Sequence, residues 1–385
     1  MEIKPAIGGT CDSRFAPVQE AFAENFATRG EQGAAVSVVV GGRVVVDCWG
    51  GWADVTTSRS WTGDTLVNVF SVGKGLTALL VAQQVGLGRL DVDAPIAEVW
   101  PEFGVAGKAD ITLRLLLSHQ AGLPAVRRRL PPDAMLDWDL MVEALAAETP
   151  WWKPGTAHGY HVNTFGFLVG EVLRRVTGLS PGTLLRDTVA GPLGADVHLG
   201  LPVAEHGRVA EFHFPGAPAP EEEPAGLSGD KLMRYNTYFN PSSLSGAGVI
   251  NTRAWREAEI PSTNGHASAR GVARVYSALA AGGEIDGVRV VDSGALAAAA
   301  VEQVHGEDLI LGRTNRFGLG FQLTQPERPL GPNDGAFGHF GAGGSLGFCD
   351  PEADVAFGYV INQLEARWQN PRNRALIDAV YASLG

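Results

Sequence analysis

The sequence predicts an α+β fold in which one antiparallel sheet is assembled from both ends of the chain around a mostly helical insertion. Three observations carry that prediction. Strand-like runs punctuated by glycine fill much of roughly the first and last seventy residues. The stretch between them is richer in helical periodicity and in Pro/Gly loops, and the runs at each end are spaced as hairpins, which pair antiparallel. A chain of 385 residues suffices for two packed units or one large core. The expected division is a discontinuous sheet domain of residues 1–85 and 245–385 and a helical domain of residues 86–244. A ligand site belongs in the seam between them.

From the N-terminus, residues 13–29 carry apolar positions at helical spacing and stop before Gly30. VSVVV and RVVVDCW, joined by Gly41-Gly42, read as a β-hairpin with a tight glycine turn. TLVNVFSVGKGLTALLVAQQV gives a short strand or loop into Ser71, then an apolar helix to about Val85, stopped by Gly86 and Gly88. TLRLLLSHQAG, DLMVEALAAE and TFGFLVGEVLRRVTG read as helices, the last with Gly178 in the capping position. HFPGAPAPEEEPAGLSGD (213–230) is a Pro-, Gly- and Glu-rich surface loop or lid. SARGVARVYSALAAGG is an amphipathic helix. FGLGFQL, AFGHFGAG, SLGFCD and DVAFGYVIN are strand-like, and NRALIDAVYASL closes the chain as a helix.

Composition narrows the function. With 45% hydrophobic and 19% charged residues the chain is an ordinary globular protein. A net charge of −12 leaves no basic face for nucleic acid, and Arg127-Arg128-Arg129 reads as a solvated loop. AAVSVVV (34–40) is far too short to span a membrane, and MEIKPAIGGT lacks the basic patch and apolar run of a signal peptide. Cys11, Cys48 and Cys349 are odd in number and widely spaced, which fits reduced thiols and a cytoplasmic location. The nine histidines show no paired ligand spacing, so neither metal nor cofactor is expected. His119, in LLSHQAGLP, reads as a structural residue holding a loop. A homo-oligomer is left open.

Ser71-Val72-Gly73-Lys74 is the most informative tetrapeptide. Positions i and i+3 share a helix face, so the Ser71 hydroxyl and the Lys74 amine can meet. A serine hydroxyl needs an adjacent base, and a lysine can be one only if its ammonium form is destabilised by burial or a neighbouring cation. Val69, Phe70, Leu76, Leu79 and Leu80 supply an apolar setting, and the helix start favours developing negative charge. Ser228 and Lys231 share the spacing, but Asp230 and a polar context leave that lysine solvated. Gly343-Gly344-Ser345-Leu346-Gly347 matches the nucleophile elbow of α/β-hydrolases. That elbow needs a helix after the serine, and a strand follows Ser345, so it reads as a decoy.

The run from Val69 through VFSVGKGLTALLVAQQVGLGRLDVDAPIAEVWPEF to ITLRLLLSHQAGLP resembles the serine β-lactamase and penicillin-binding-protein superfamily. Within it, the chain is similar to class C β-lactamases and more so to the family VIII carboxylesterases, from about residue 15 to the C-terminus. The resemblance implies a β-lactamase/transpeptidase-like fold with Ser71 as nucleophile and Lys74 as its lysine. The family's Tyr-x-Asn motif falls on Tyr160, with Val162 where the asparagine would stand and Asn163 one position late, a departure that disfavours amide substrates. A literal Tyr238-Phe239-Asn240 sits in an expected loop before Pro241, so Tyr238 is given a pocket-wall role only. The family's Lys-Thr-Gly falls on His339-Phe340-Gly341. Gly341 lets substrate approach the strand edge, and the Ala342 N–H pairs with the Ser71 N–H as the oxyanion hole. His339 replaces a lysine that would bind a β-lactam carboxylate, which again favours neutral ester substrates, and it either shapes the wall, hydrogen-bonds Tyr160 or takes part in catalysis. Trp151 and Trp152 also bound the pocket, and His266 either faces it or supports the start of the next helix. The implied activity is hydrolysis of small esters through an acyl-enzyme. The alternatives are a β-lactamase, D-peptidase or linear-amide hydrolase at the same site, an acyltransferase to an alcohol or amine, and a catalytically dead binding fold.

Overall fold

The computed structural model describes residues 7–215, 226–242 and 246–385. Its centre is an antiparallel sheet in the spatial order Gly8–Cys11, Arg43–Asp54, Gly33–Val40, Val355–Ile361, Leu346–Asp350, Phe337–Phe340, Gln322–Leu323, Thr314–Phe317 and Val304–Glu307, with Arg59–Ser60 paired to Arg43–Asp54. The two chain ends meet where Val355–Ile361 pairs with Gly33–Val40, Val355 opposite Val40 and Ile361 opposite Ala34. Between them, the described residues from 86 to 303 add no strand to this sheet.

Both faces of the sheet are covered, and the period-2 alternation of a strand feeds two cores. Along Val355–Ile361, Val355, Phe357, Tyr359 and Ile361 pack with Phe22, Leu376 and Val380 under the helices Ala16–Thr28 and Pro371–Leu384. Ala356 and Val360 face the opposite core, with Val272 and Tyr276 of the helix Ala269–Ala280. The helix Val72–Gly86 lies in that second core and is buried on nearly every side, with residues 72–82 all buried, as its continuous apolar run requires. Thr164–Thr177 packs on it and ends at Gly178 in the left-handed conformation. A second sheet pairs Val67–Phe70 with Gly265–Ala267 and the latter with Val197–His198. No helix among the described residues is long and apolar enough to cross a membrane.

Several local expectations are corrected. Most of the Pro/Glu-rich loop, residues 216–225, lies outside the described residues, and its end is helical: Gly229–Phe239 is a helix carrying Lys231, Tyr238 and Phe239. Its charged residues masked a helical face on which Met233, Asn236 and Thr237 are buried. The helix in TLRLLLSHQAG covers only Leu113–Leu117, because His119 turns left-handed at φ 61°. FGLGFQL contributes only Phe317 and Gln322–Leu323 to strands, with a turn between.

Candidate active site

The nucleophile candidate stands at a strand-to-helix corner. Val67–Phe70 ends at Phe70, which adopts φ 49°, a conformation a bulky residue enters only under constraint, and Ser71 then caps the Val72–Gly86 helix. One turn along, Gly73 lets residues 261–262 press against the helix. A β-carbon at position 73 would lie 2.3 Å from the Pro261 carbonyl oxygen.

That close approach completes the surroundings of Lys74, which is fully buried. Its Nζ lies 3.0 Å from Ser71 Oγ, 2.7 Å from the Val162 carbonyl and 2.9 Å from the Ser262 carbonyl. Burial holds its amine well below the usual lysine range, and no carboxylate is paired with it among the described residues. A neutral amine has two hydrogens and one lone pair. The two carbonyls can only accept, so they take both hydrogens, and the lone pair is left facing Ser71 Oγ–H. The geometry therefore suits Lys74 as a base toward Ser71.

Tyr160 lies just before the Thr164–Thr177 helix and is held by its backbone, whose N–H donates to both carboxylate oxygens of Asp308 at 3.1 Å. Its ring stacks on Phe317 at 6.0 Å and 12° and meets Trp368 edge-on at 5.1 Å, and Lys74 Nζ sits 4.7 Å from its centroid. Burial pushes the phenol above its ordinary value, partly offset by the nearby Ser71 hydroxyl. That contact falls short of good hydrogen-bond geometry, and the buried phenolic oxygen has no geometric partner. It is free to reach an incoming atom.

His339 lies on Phe337–Phe340, fully buried, its Nδ1 2.7 Å from the Phe340 carbonyl and its Nε2 without a partner. It makes no hydrogen bond to Tyr160. Burial, then Lys74, pushes it down to about 3; burial likewise takes His161 to about 3 and His119 well below the ordinary value. These imidazoles are neutral, and His119 accepts the His161 N–H at 3.2 Å while its ring packs on Tyr160. Gly341 is required by close approach: a β-carbon there would lie 2.3 Å from the Val69 carbonyl oxygen. Ala342 follows at the start of the short helix Ala342–Gly344, beside the strand that leads into Ser71.

Other candidates separate. His266 is buried on Gly265–Ala267, its Nδ1 2.8 Å from the Asn264 carbonyl. Burial and then Arg256 lower it to about 3, with His198 and His206 also near, and it sits opposite Asn68 on the small sheet whose first strand leads into Ser71. Trp152 donates to the Ala157 carbonyl at 3.0 Å and meets the His161 ring edge-on, propping the loop that carries Tyr160. Trp151 donates to the Ala125 carbonyl and stacks under Arg127. Tyr238, 40% exposed, lies within electrostatic range of Tyr160, so it remains at the site's edge. Asn163 donates to the Thr237 carbonyl and accepts from the Thr263 hydroxyl, tying those segments together. Ser345 is buried, with its hydroxyl accepting the Ile361 N–H at 3.3 Å, and Lys231 is exposed. Sequence reasoning missed Ser262, Asp308, Phe317 and Trp368. The first two act through a backbone carbonyl and a backbone-binding carboxylate, which leave no side-chain pattern.

The profile of the Beta-lactamase family matches residues 18–382. Esterase/beta-lactamase LipL of Mycobacterium tuberculosis (strain ATCC 25618 / H37Rv) is 39% identical over 360 residues, 92% of this chain and 83% of that protein. A crystal structure of a family VIII carboxylesterase superposes with TM-score 0.91 at 41% identity, covering 98% of this chain and 100% of the other. A penicillin-binding protein homolog from Caulobacter crescentus superposes with TM-score 0.90 at 42% identity, again over 98% and 100%.

Proposed function

The chain belongs to the Beta-lactamase family, and from that membership we propose that it is a serine carboxylesterase hydrolysing small esters through an acyl-enzyme on Ser71. The observation that carries this reading is the pair of carbonyls, Val162 and Ser262, that leaves Lys74 only its lone pair to offer Ser71. Lys74 takes the hydroxyl proton as Ser71 Oγ attacks the ester carbonyl, and the oxyanion rests on the Ser71 and Ala342 N–H groups. Tyr160 gives its proton to the departing alkoxide and regains one from the Lys74 ammonium. Water, deprotonated by the same pair, then attacks the acyl carbonyl and releases the acid and Ser71.

Esters suit this site better than amides, because Val162 offers no side-chain amide to a substrate. The relatives named as a family VIII carboxylesterase and as Esterase EstB, and the absence of a lysine at position 339, support that choice, while LipL carries both names. The three free cysteines favour a reducing, cytoplasmic location. The test is hydrolysis of p-nitrophenyl butyrate against nitrocefin, with a fluorophosphonate probe mapped to its peptide. Ester turnover with the adduct on Ser71 supports the reading. An adduct on Ser345, or preferential nitrocefin turnover, overturns it.

A further inference from the structure

One cation beside the site is unexplained by the chemistry above. Arg313, just ahead of the strand Thr314–Phe317, has a buried Nε with no hydrogen-bond partner, and its guanidinium makes no hydrogen bond or ion pair among the described residues. A buried donor left unpaired is costly and calls for a partner. The group is not loose: its Cζ lies 4.3 Å from the Trp368 ring centre, and that ring is the one packed edge-on against Tyr160. A stacked guanidinium keeps its in-plane N–H donors available to a planar acceptor.

The charges around it are mixed. Arg328 and Arg367 are both close enough to act on Arg313 electrostatically. Asp308 is the charge that acts most strongly on Arg313, without hydrogen-bonding it, because its oxygens are engaged by the Tyr160, Ile310 and Leu311 N–H groups and the Asn315 side chain, and Glu327 acts on Arg328. Three arginines against Asp308 and Glu327 leave these five groups one positive charge in excess, in a chain of net charge −12.

We propose that Arg313, stacked on Trp368, is a specificity-determining residue that binds a carboxylate on the alcohol portion of the ester. The assignment to the alcohol side follows from Tyr160. The leaving oxygen must lie within reach of that phenol, and Arg313 lies one aromatic ring beyond it. The preferred substrates are therefore esters whose leaving alcohol or phenol is itself anionic. This rests on the esterase reading above.

The test compares meta-acetoxybenzoate with its methyl ester. Both leave the same acetyl group on Ser71, so their kcat/KM ratio reports leaving-group recognition alone. The ratio should favour the carboxylate by at least about tenfold in the native protein, fall to about one or below in Arg313→Gln, and be partly kept in Arg313→Lys. Because each ratio is internal to one protein, a variant that folds poorly still reports it. A native ratio near one, or one unchanged in Arg313→Gln, overturns the carboxylate site while p-nitrophenyl butyrate turnover and Ser71 labelling keep the esterase reading. Loss of those two controls in the native protein overturns both.

Discussion

Consider replacing Lys74 by methionine, which keeps the volume of the side chain and removes its titration. An unfolded lysine titrates near 10.4, whereas burial holds the folded Lys74 well below that. Across the window between the two values the unfolded chain binds more protons, so native stability rises with pH there. Where the folded amine is neutral and the unfolded one charged, each pH unit is worth about 1.4 kcal/mol, so the cost of deprotonation shrinks between about pH 7 and about pH 9.5. Methionine removes that cost but leaves the Val162 and Ser262 carbonyls without a donor, at about 1–3 kcal/mol each. The two terms oppose one another, so the variant should still fold while turnover drops at least about a thousandfold. The decisive measurement is urea unfolding of both proteins at the two pH values. Native stability should gain on the variant as pH rises between them, by at most about 3 kcal/mol. A flat difference, or one of opposite sign, would mean that Lys74 is a charged ammonium in the fold, and the base assignment would fall with it.

Tyr160→Phe should cost at least about a thousandfold in kcat/KM with no loss of thermal stability, because the buried phenol gives up no geometric partner; a marked fall in Tm would point to a structural hydroxyl instead. Gly73→Ala should lower kcat/KM by about tenfold to a hundredfold, since its β-carbon displaces the Pro261–Ser262 backbone that orients Lys74, and unchanged kinetics would remove Ser262 from the account. The neutral amine is the active form, so activity should rise with pH through the Lys74 titration. With His339 and His161 held at about 3 and His119 well below its usual value, that acidic limb should persist in His339→Gln. Its disappearance from the pH–rate profile would assign the limb to the imidazole.

The parts of this molecule that were readable in the sequence are those in which side-chain pattern and backbone shape coincide. The hairpin around Gly41-Gly42, the buried helix after Ser71 and the Gly178 cap each follow from local periodicity or a left-handed glycine. Ser71 and Lys74 were legible because one helical turn brings them together. What escaped was held by the backbone or by charge. Phe70 turns left-handed although nothing in a phenylalanine asks for it, and Gly229–Phe239 is a helix whose polar face hid its period. His266, left open between the pocket and the start of the next helix, lies on a short strand two residues before the cap of Ala269–Ala280, a placement that its spacing alone did not decide.

The departure at position 162 takes on a different meaning once Lys74 is surrounded. A valine where the resemblance expects asparagine looks like a damaged motif if the motif's work is done by side chains. Here the contribution of residue 162 to the lysine is its carbonyl, which any residue supplies provided the chain turns correctly between Tyr160 and the Thr164–Thr177 helix. That turn is fixed elsewhere, by Asp308 on the Tyr160 N–H and by Asn163 on Thr237 and Thr263. The carbonyl that Lys74 binds and the side chain at position 162 are therefore separable. Under the proposed esterase reading, a change of side chain at 162 leaves the surroundings of the amine in place, so a Ser-Lys-Tyr core can serve an ester without the amide-holding group that a lactam uses.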